Sequence, residues 1–171
     1  MTLAVVIGFW WLRSPEATRI KAGDPVPALE LTAFGGQSEQ KAKLAAYRGW
    51  PVMLVMFLSD CHICDAEMPE IERLHREFLR KGLVVIGVGV DPDPNALRSF
   101  VRRHGLTFIV LEDQSGAGVK AAFGSRKFPE AYLIDAQGRV DSVYLGSVNW
   151  RSGDLRERIR RLLPEKLRDV P

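Results

Sequence analysis

Val52-Met53-Leu54-Val55-Met56-Phe57-Leu58-Ser59-Asp60-Cys61-His62-Ile63-Cys64 joins a run of seven apolar residues to a Cys-x-x-Cys pair. An uninterrupted apolar run of this length reads as a strand covered on both faces. A helix-like stretch follows, so the two cysteines fall on the first turn of a helix, with both sulfurs near one face and close enough to form a small disulfide ring. The helix N-terminus places positive partial charge beside the first sulfur and favours its thiolate, the form that attacks another disulfide. These are the two cysteines of the chain, and its histidines, His62, His75 and His104, are scattered. A structural zinc site needs four ligands, so redox chemistry is the better reading of the pair.

Working outward from this junction, Gly23-Asp24-Pro25-Val26-Pro27 opens an extended segment. Ala28 to Thr32 alternates as a strand up to the Gly35-Gly36 turn, and Leu44-Ala45-Ala46-Tyr47 reads as a short helix closed by Gly49. After the cysteines, Met68, Ile71, Leu74 and Phe78 repeat at helical steps to about Lys81, with Gly82 as the stop. Leu83 to Val90 is a second buried strand. Asp93 caps a helix that has Pro94 at its first position and Gly105 at its end. Phe108 to Leu111 is a third strand, and a short helix is expected near Val119 to Phe123. Ala131 to Asp135 and Arg139 to Leu145 form a closing hairpin through Gly138. Strands alternating with helices before a hairpin predict an α/β domain of three layers with a mixed central sheet. Pro69 should interrupt the backbone hydrogen bonds of the cysteine-bearing helix.

With 171 residues the chain can bury one full core. Its formal charge of +3 is accounted for by residues 151–171, and the remainder is balanced, which excludes a charge-based case for nucleic acid. Leu155, Ile159, Leu162 and Leu163 give that basic end a helical apolar face, so its arginines read as the wet side of a packed helix. Thr2 to Leu12 is apolar and ends in Phe9-Trp10-Trp11-Leu12. A spanning helix needs about 20 apolar residues. The stretch therefore reads as the distal half of a signal anchor whose start lies upstream, or else as an N-terminal element docked on the core. The expected organisation is a leader and linker over 1–22, a domain over 23–164 and a tail over 165–171.

The chain resembles the thioredoxin superfamily, and within it the TlpA/ResA-like extracytoplasmic thiol-disulfide oxidoreductases. The residues that carry the resemblance are Gly23 to Pro27, Cys61-His62-Ile63-Cys64-Asp65-Ala66-Glu67-Met68-Pro69-Glu70, Val84 to Pro92, Gly105 to Phe108, and Phe128-Pro129-Glu130-Ala131-Tyr132-Leu133-Ile134-Asp135. It implies a thioredoxin-like fold with an N-terminal β extension. It also implies that Cys61 is the nucleophile and Cys64 the resolving thiol, that Glu67 is the acid beside the dithiol, and that Pro129 is a cis-proline facing it. Glu67, one helical turn beyond Cys64, can accept its proton if burial raises the carboxyl pKa.

By the same resemblance the protein reduces a client's disulfides outside the cytoplasm, as in cytochrome c or copper-centre assembly. It is then a periplasmic, monomeric protein held at the inner membrane by its N-terminus, recharged by an upstream thiol reductant protein and using no bound cofactor or metal. Alternatives are a disulfide-forming maturation factor and a Cu(I) metallochaperone using the same two thiols. A peroxidase is disfavoured, since Leu58 stands where a hydroxyl residue is needed. The sequence departs from the family at Asp60 and Ile63, where Trp and Pro are usual, and at Phe128 and Glu130. Asp60 is expected to cap the helix. With Asp65 and Glu67 it should oppose thiolate formation and give a reducing dithiol.

Overall fold

The computed structural model of the protein describes residues 19–35 and 40–170. The apolar leader Thr2 to Leu12, the linker Arg13 to Thr18 and Gly36 of the expected glycine turn lie outside the described residues. Among the described residues no helix is long and apolar enough to cross a membrane.

In chain order the elements are β1 (Glu30–Ala33), β2 (Lys41–Lys43), β3 (Val52–Phe57), α1 (His62–Phe78), β4 (Val84–Gly89), α2 (Pro94–His104), β5 (Ile109–Glu112), α3 (Ala117–Phe123), β6 (Glu130–Ile134), β7 (Val140–Leu145) and α4 (Gly153–Leu162). They build one mixed sheet in the order β2-β1-β5-β4-β3-β6-β7. β3, β4 and β5 run parallel, while β6, β7, β1 and β2 pair antiparallel to their neighbours. All six residues of β3 are buried, as a strand between two layers must be.

The layering follows from connection handedness. The crossovers β3-α1-β4 and β4-α2-β5 step in the same direction across the sheet, and right-handed crossovers of that kind place both helices on one face. Met53, Val55 and Phe57 of β3 pack there with Met68 and Ile71 of α1 and Phe100 of α2, and α4 adds Leu155 and Ile159. The chain then returns from β5 to β6 over the other face. Val119 and Phe123 of α3 pack there on Leu54, Met56 and Tyr132, with Leu29 and Leu31 of the N-terminal extension.

The sequence reading differs from the structure in small, explicable ways. The segment Leu44–Tyr47 is a single 3-10 turn, and the last turn of the cysteine-bearing helix, Leu79–Lys81, is also 3-10 before Gly82 turns left-handed at φ 93°. β2 has three residues, Lys-Ala-Lys, too few for alternation to register. α1 continues through Pro69. Glu72 fastens α1 to the turn before β5 by accepting hydrogen bonds from the Thr107 backbone N–H and hydroxyl.

Close packing of aromatic rings against β4 requires glycine at Gly87. A Cβ on Gly87 would lie 2.8 Å from Phe108 Cε2 and 3.0 Å from Phe57 Cε1, both in the core. Overpacking of this kind costs about 1 to 3 kcal/mol. Gly87→Ala is expected to lose stability in that range in denaturant unfolding, with an unchanged slope; full stability would show that the two rings can part freely.

Candidate active site

β3 ends at Phe57, and the turn that follows is fixed from the neighbouring strand: the Ser59 N–H and hydroxyl both donate to Oδ1 of Asp91, a buried residue just past β4. This turn delivers Cys61 to the start of α1 in extended conformation, φ −132° and ψ 110°. Cys61 is itself the N-cap. Its Sγ accepts the Cys64 backbone N–H at 3.1 Å, the task that a Ser or Asp oxygen usually performs. Asp60 is therefore not the cap the sequence led us to expect; it lies one residue too early and is exposed. Helical partial charge and one N–H thus converge on Cys61 sulfur, a setting that favours its thiolate.

Cys61 and Cys64 are joined as a disulfide, with Cα atoms 5.2 Å apart, inside the range such bonds require. The two sulfurs have unequal surroundings. Cys61 is partly exposed, whereas Cys64 is fully buried among Met68, Ile71 and the other core side chains beneath α1. Across from them the Phe128-Pro129 peptide bond is cis. It presents the Phe128 carbonyl oxygen 3.8 Å from Cys61 Sγ, and the Phe128 ring packs against the same cluster. Ile63, between the cysteines, is 42% exposed and gives the rim an apolar edge.

Glu67 is 5% exposed. Its Oε1 accepts the Val148 backbone N–H at 2.6 Å, from the loop between β7 and α4, and its Oε2 meets no partner in full hydrogen-bond geometry among the described residues. Burial pushes the Glu67 carboxyl above its ordinary pKa, against the smaller opposite effects of the Val148 N–H and the Trp150 indole. The other acids of α1 are neutralised. Asp65 Oδ1 meets Arg103 at 2.6 Å and His104 Nε2 at 2.8 Å, which hold its pKa below the ordinary value. Glu70 receives two hydrogen bonds from Arg151 and one from Arg73, which bring it down to about 2.

Asp65 is consequently not the unopposed charge the sequence suggested, because α2 returns Arg103 and His104 to the first turn of α1. Sequence reasoning missed these two residues, Asp91, and the Val148–Trp150 loop. Each comes from another element, and nothing in local spacing marks it. Among the described residues, no group of three or more His, Cys, Asp or Glu converges to hold a metal ion.

The raised Glu67 pKa has a consequence for stability. Between the unfolded and folded midpoints the native state holds the extra proton, so stability falls as pH rises through that window. Glu67→Gln keeps an oxygen for Val148 and removes the charge. In the oxidised protein it is expected to match wild type below about pH 4 and to become the more stable form at pH 8. The gain is about 1.4 kcal/mol for each pH unit between the two midpoints. A pH-independent difference in chemical unfolding would contradict this.

Residues 22–143 match the AhpC/TSA family. The chain is 27% identical over 149 residues to the thiol-disulfide oxidoreductase ResA of Geobacillus thermodenitrificans, covering 87% of this chain and 82% of that protein. Its fold superimposes on the thioredoxin domain of a thiol-disulfide oxidoreductase from Bacteroides vulgatus with a TM-score of 0.72 at 18% identity, covering 85% and 99% of the two chains. It also superimposes on a secreted Mycobacterium tuberculosis disulfide oxidoreductase homologous to E. coli DsbE, with a TM-score of 0.67 at 21% identity, covering 78% and 95%. With a closed Cys-x-x-Cys ring at the head of α1, the chain belongs to the AhpC/TSA family and is a thiol-disulfide oxidoreductase of thioredoxin fold.

Proposed function

We propose that the protein reduces disulfides of a client protein outside the cytoplasm, with Cys61 as the attacking thiolate, Cys64 as the resolving thiol and Glu67 as its proton acceptor. The observation that carries this reading is the unequal burial of the two sulfurs. An incoming disulfide can reach partly exposed Cys61, while Cys64 is sealed in the core on the same helix as buried Glu67.

In the reductive cycle the Cys61 thiolate attacks one sulfur of the client disulfide. The client S–S bond breaks, a Cys61–client mixed disulfide forms, and the other client sulfur leaves as a thiolate. Cys64 then attacks Cys61 Sγ as its proton passes to the Glu67 carboxylate. The mixed disulfide breaks, the second client thiolate departs, and the Cys61–Cys64 bond forms. Two electrons have moved from the protein to the client. An upstream thiol reductant protein restores the dithiol by the reverse exchange. Pro129 has no N–H, so the Phe128 backbone beside Cys61 is left to pair with an extended client segment crossing the site.

Reduction is favoured as the net direction by the setting of Cys64 and by Asp60. A fully buried thiol gains nothing by ionising, and Asp60 makes no ion pair among the described residues. Both effects destabilise thiolate and so lower the tendency of the couple to take electrons. The extracytoplasmic location is supported by the secreted Mycobacterium tuberculosis neighbour and by the apolar stretch Thr2 to Leu12, which would hold the domain at the inner membrane. The family resemblance suggests the clients: disulfides of apocytochrome c or of a copper-centre protein, which the reaction leaves as dithiols.

Purified protein should reduce insulin in the presence of dithiothreitol. Cys61→Ala is expected to abolish turnover, and Cys64→Ala to accumulate mixed disulfides resolved on non-reducing gels. Turnover surviving in Cys61→Ala would remove it as the nucleophile.

A further inference from the structure

Among the described residues, two buried polar atoms of the core around the dithiol lack a partner in full hydrogen-bond geometry, and they are complementary. Glu67 Oε2 is an acceptor, or a donor when protonated, and Trp150 Nε1 is a donor only. Trp150 is 3% exposed, packs on Tyr144 with ring centroids 5.8 Å apart, and stands two residues beyond Val148, whose N–H already holds Glu67 Oε1. Its indole is near enough to donate toward the Glu67 carboxyl and draw its pKa down, although Nε1 and Oε2 do not meet in full hydrogen-bond geometry. A buried donor and a buried acceptor left unpaired are each costly, which gives these two groups reason to pair with one another.

We propose that the Trp150 indole N–H is the second hydrogen-bond donor to Glu67, engaged with Oε2 when the carboxyl is ionised and released when it is protonated. Trp150 is thereby a positioning residue that sets the pH range over which Glu67 can take the proton of Cys64. This rests on the role of Glu67 given above.

The neighbouring charges leave that task to Trp150. On α1, Asp65 is held by Arg103 and His104, and Glu70 by Arg73 and Arg151. On α4, Arg156 is bound to Glu77 and to the Trp150 carbonyl, which pins the loop. Glu130 of β6 is committed to Tyr132 and Arg19. After resolution the oxidised protein carries the proton on Glu67, and a protonated Oε2 attracts the indole N–H less than a carboxylate oxygen does.

The test is NMR of the full chain in its oxidised form, following the Glu67 side-chain carboxyl carbon and the indole N–H resonances against pH. The Trp150 signal among the four tryptophans is identified by its loss in Trp150→Phe. Its N–H resonance is expected to move downfield with the same midpoint as the Glu67 carboxyl and to become flat in Glu67→Gln. In Trp150→Phe the Glu67 midpoint is expected to rise by about one pH unit, as loss of one charge-assisted hydrogen bond implies. An indole resonance that stays flat while Glu67 titrates, or that still titrates in Glu67→Gln, overturns the proposal even if Trp150→Phe fails to fold. Failure of the Glu67 reading is separate: Glu67→Gln would then resolve mixed disulfides as fast as wild type, while in the wild-type protein the indole still titrated together with the Glu67 carboxyl.

Discussion

The hydrogen bond from the Cys64 backbone N–H to Cys61 Sγ depends on the path by which the chain enters α1. β3 is buried on both faces and paired to β4 and β6, so its end is fixed in space. The turn after it is fixed again by Ser59 on Asp91. Cys61 is then the residue at which extended backbone becomes helix, and its sulfur takes the place of a capping oxygen. The same step makes the sulfur partly reachable from solvent, places it on the positive end of the helix and leaves Cys64 one turn inside the core. Reactivity and burial of the two thiols are thus consequences of a single backbone transition.

Around that step the acids of α1 are separated by partner and not by type. Asp65 and Glu70 face other elements that supply arginines, and both are held in the ionised form. Glu67 points into the interface with the β7–α4 loop, where it meets the Val148 backbone N–H and, among the described residues, no arginine. Desolvation raises its pKa toward the range in which a carboxylate can take a thiol proton. The arginine clamps Arg151–Glu70 and Arg156–Glu77 fix the loop that defines this pocket, so ion pairs at the surface shape the environment of buried Glu67.

Much of this was legible in the chain. The six-residue buried strand, the cap at Asp93 with Pro94, the left-handed Gly105 and the closing hairpin are local signals, and the structure places them where periodicity and turn chemistry indicate. Asp60 shows the limit of local reading. A residue type that caps well was preferred to the cysteine beside it, although the backbone transition occurs at Cys61. Arg103, Asp91 and Trp150 stand 42, 30 and 89 positions from Cys61 in sequence, and only the crossovers that bring α2, β4 and the β7–α4 loop to one end of the sheet make them neighbours.

The net direction of electron flow is tested most directly by the equilibrium potential of the Cys61–Cys64 couple, titrated against glutathione buffers at pH 7. A buried resolving thiol and an uncompensated Asp60 give a couple more negative than roughly −240 mV, within the span of the glutathione pool and toward that of reducing thioredoxins. A couple less negative than that, approaching the value of about −120 mV found for strong protein oxidants, would make the protein a donor of disulfides and contradict its assignment as a reductase.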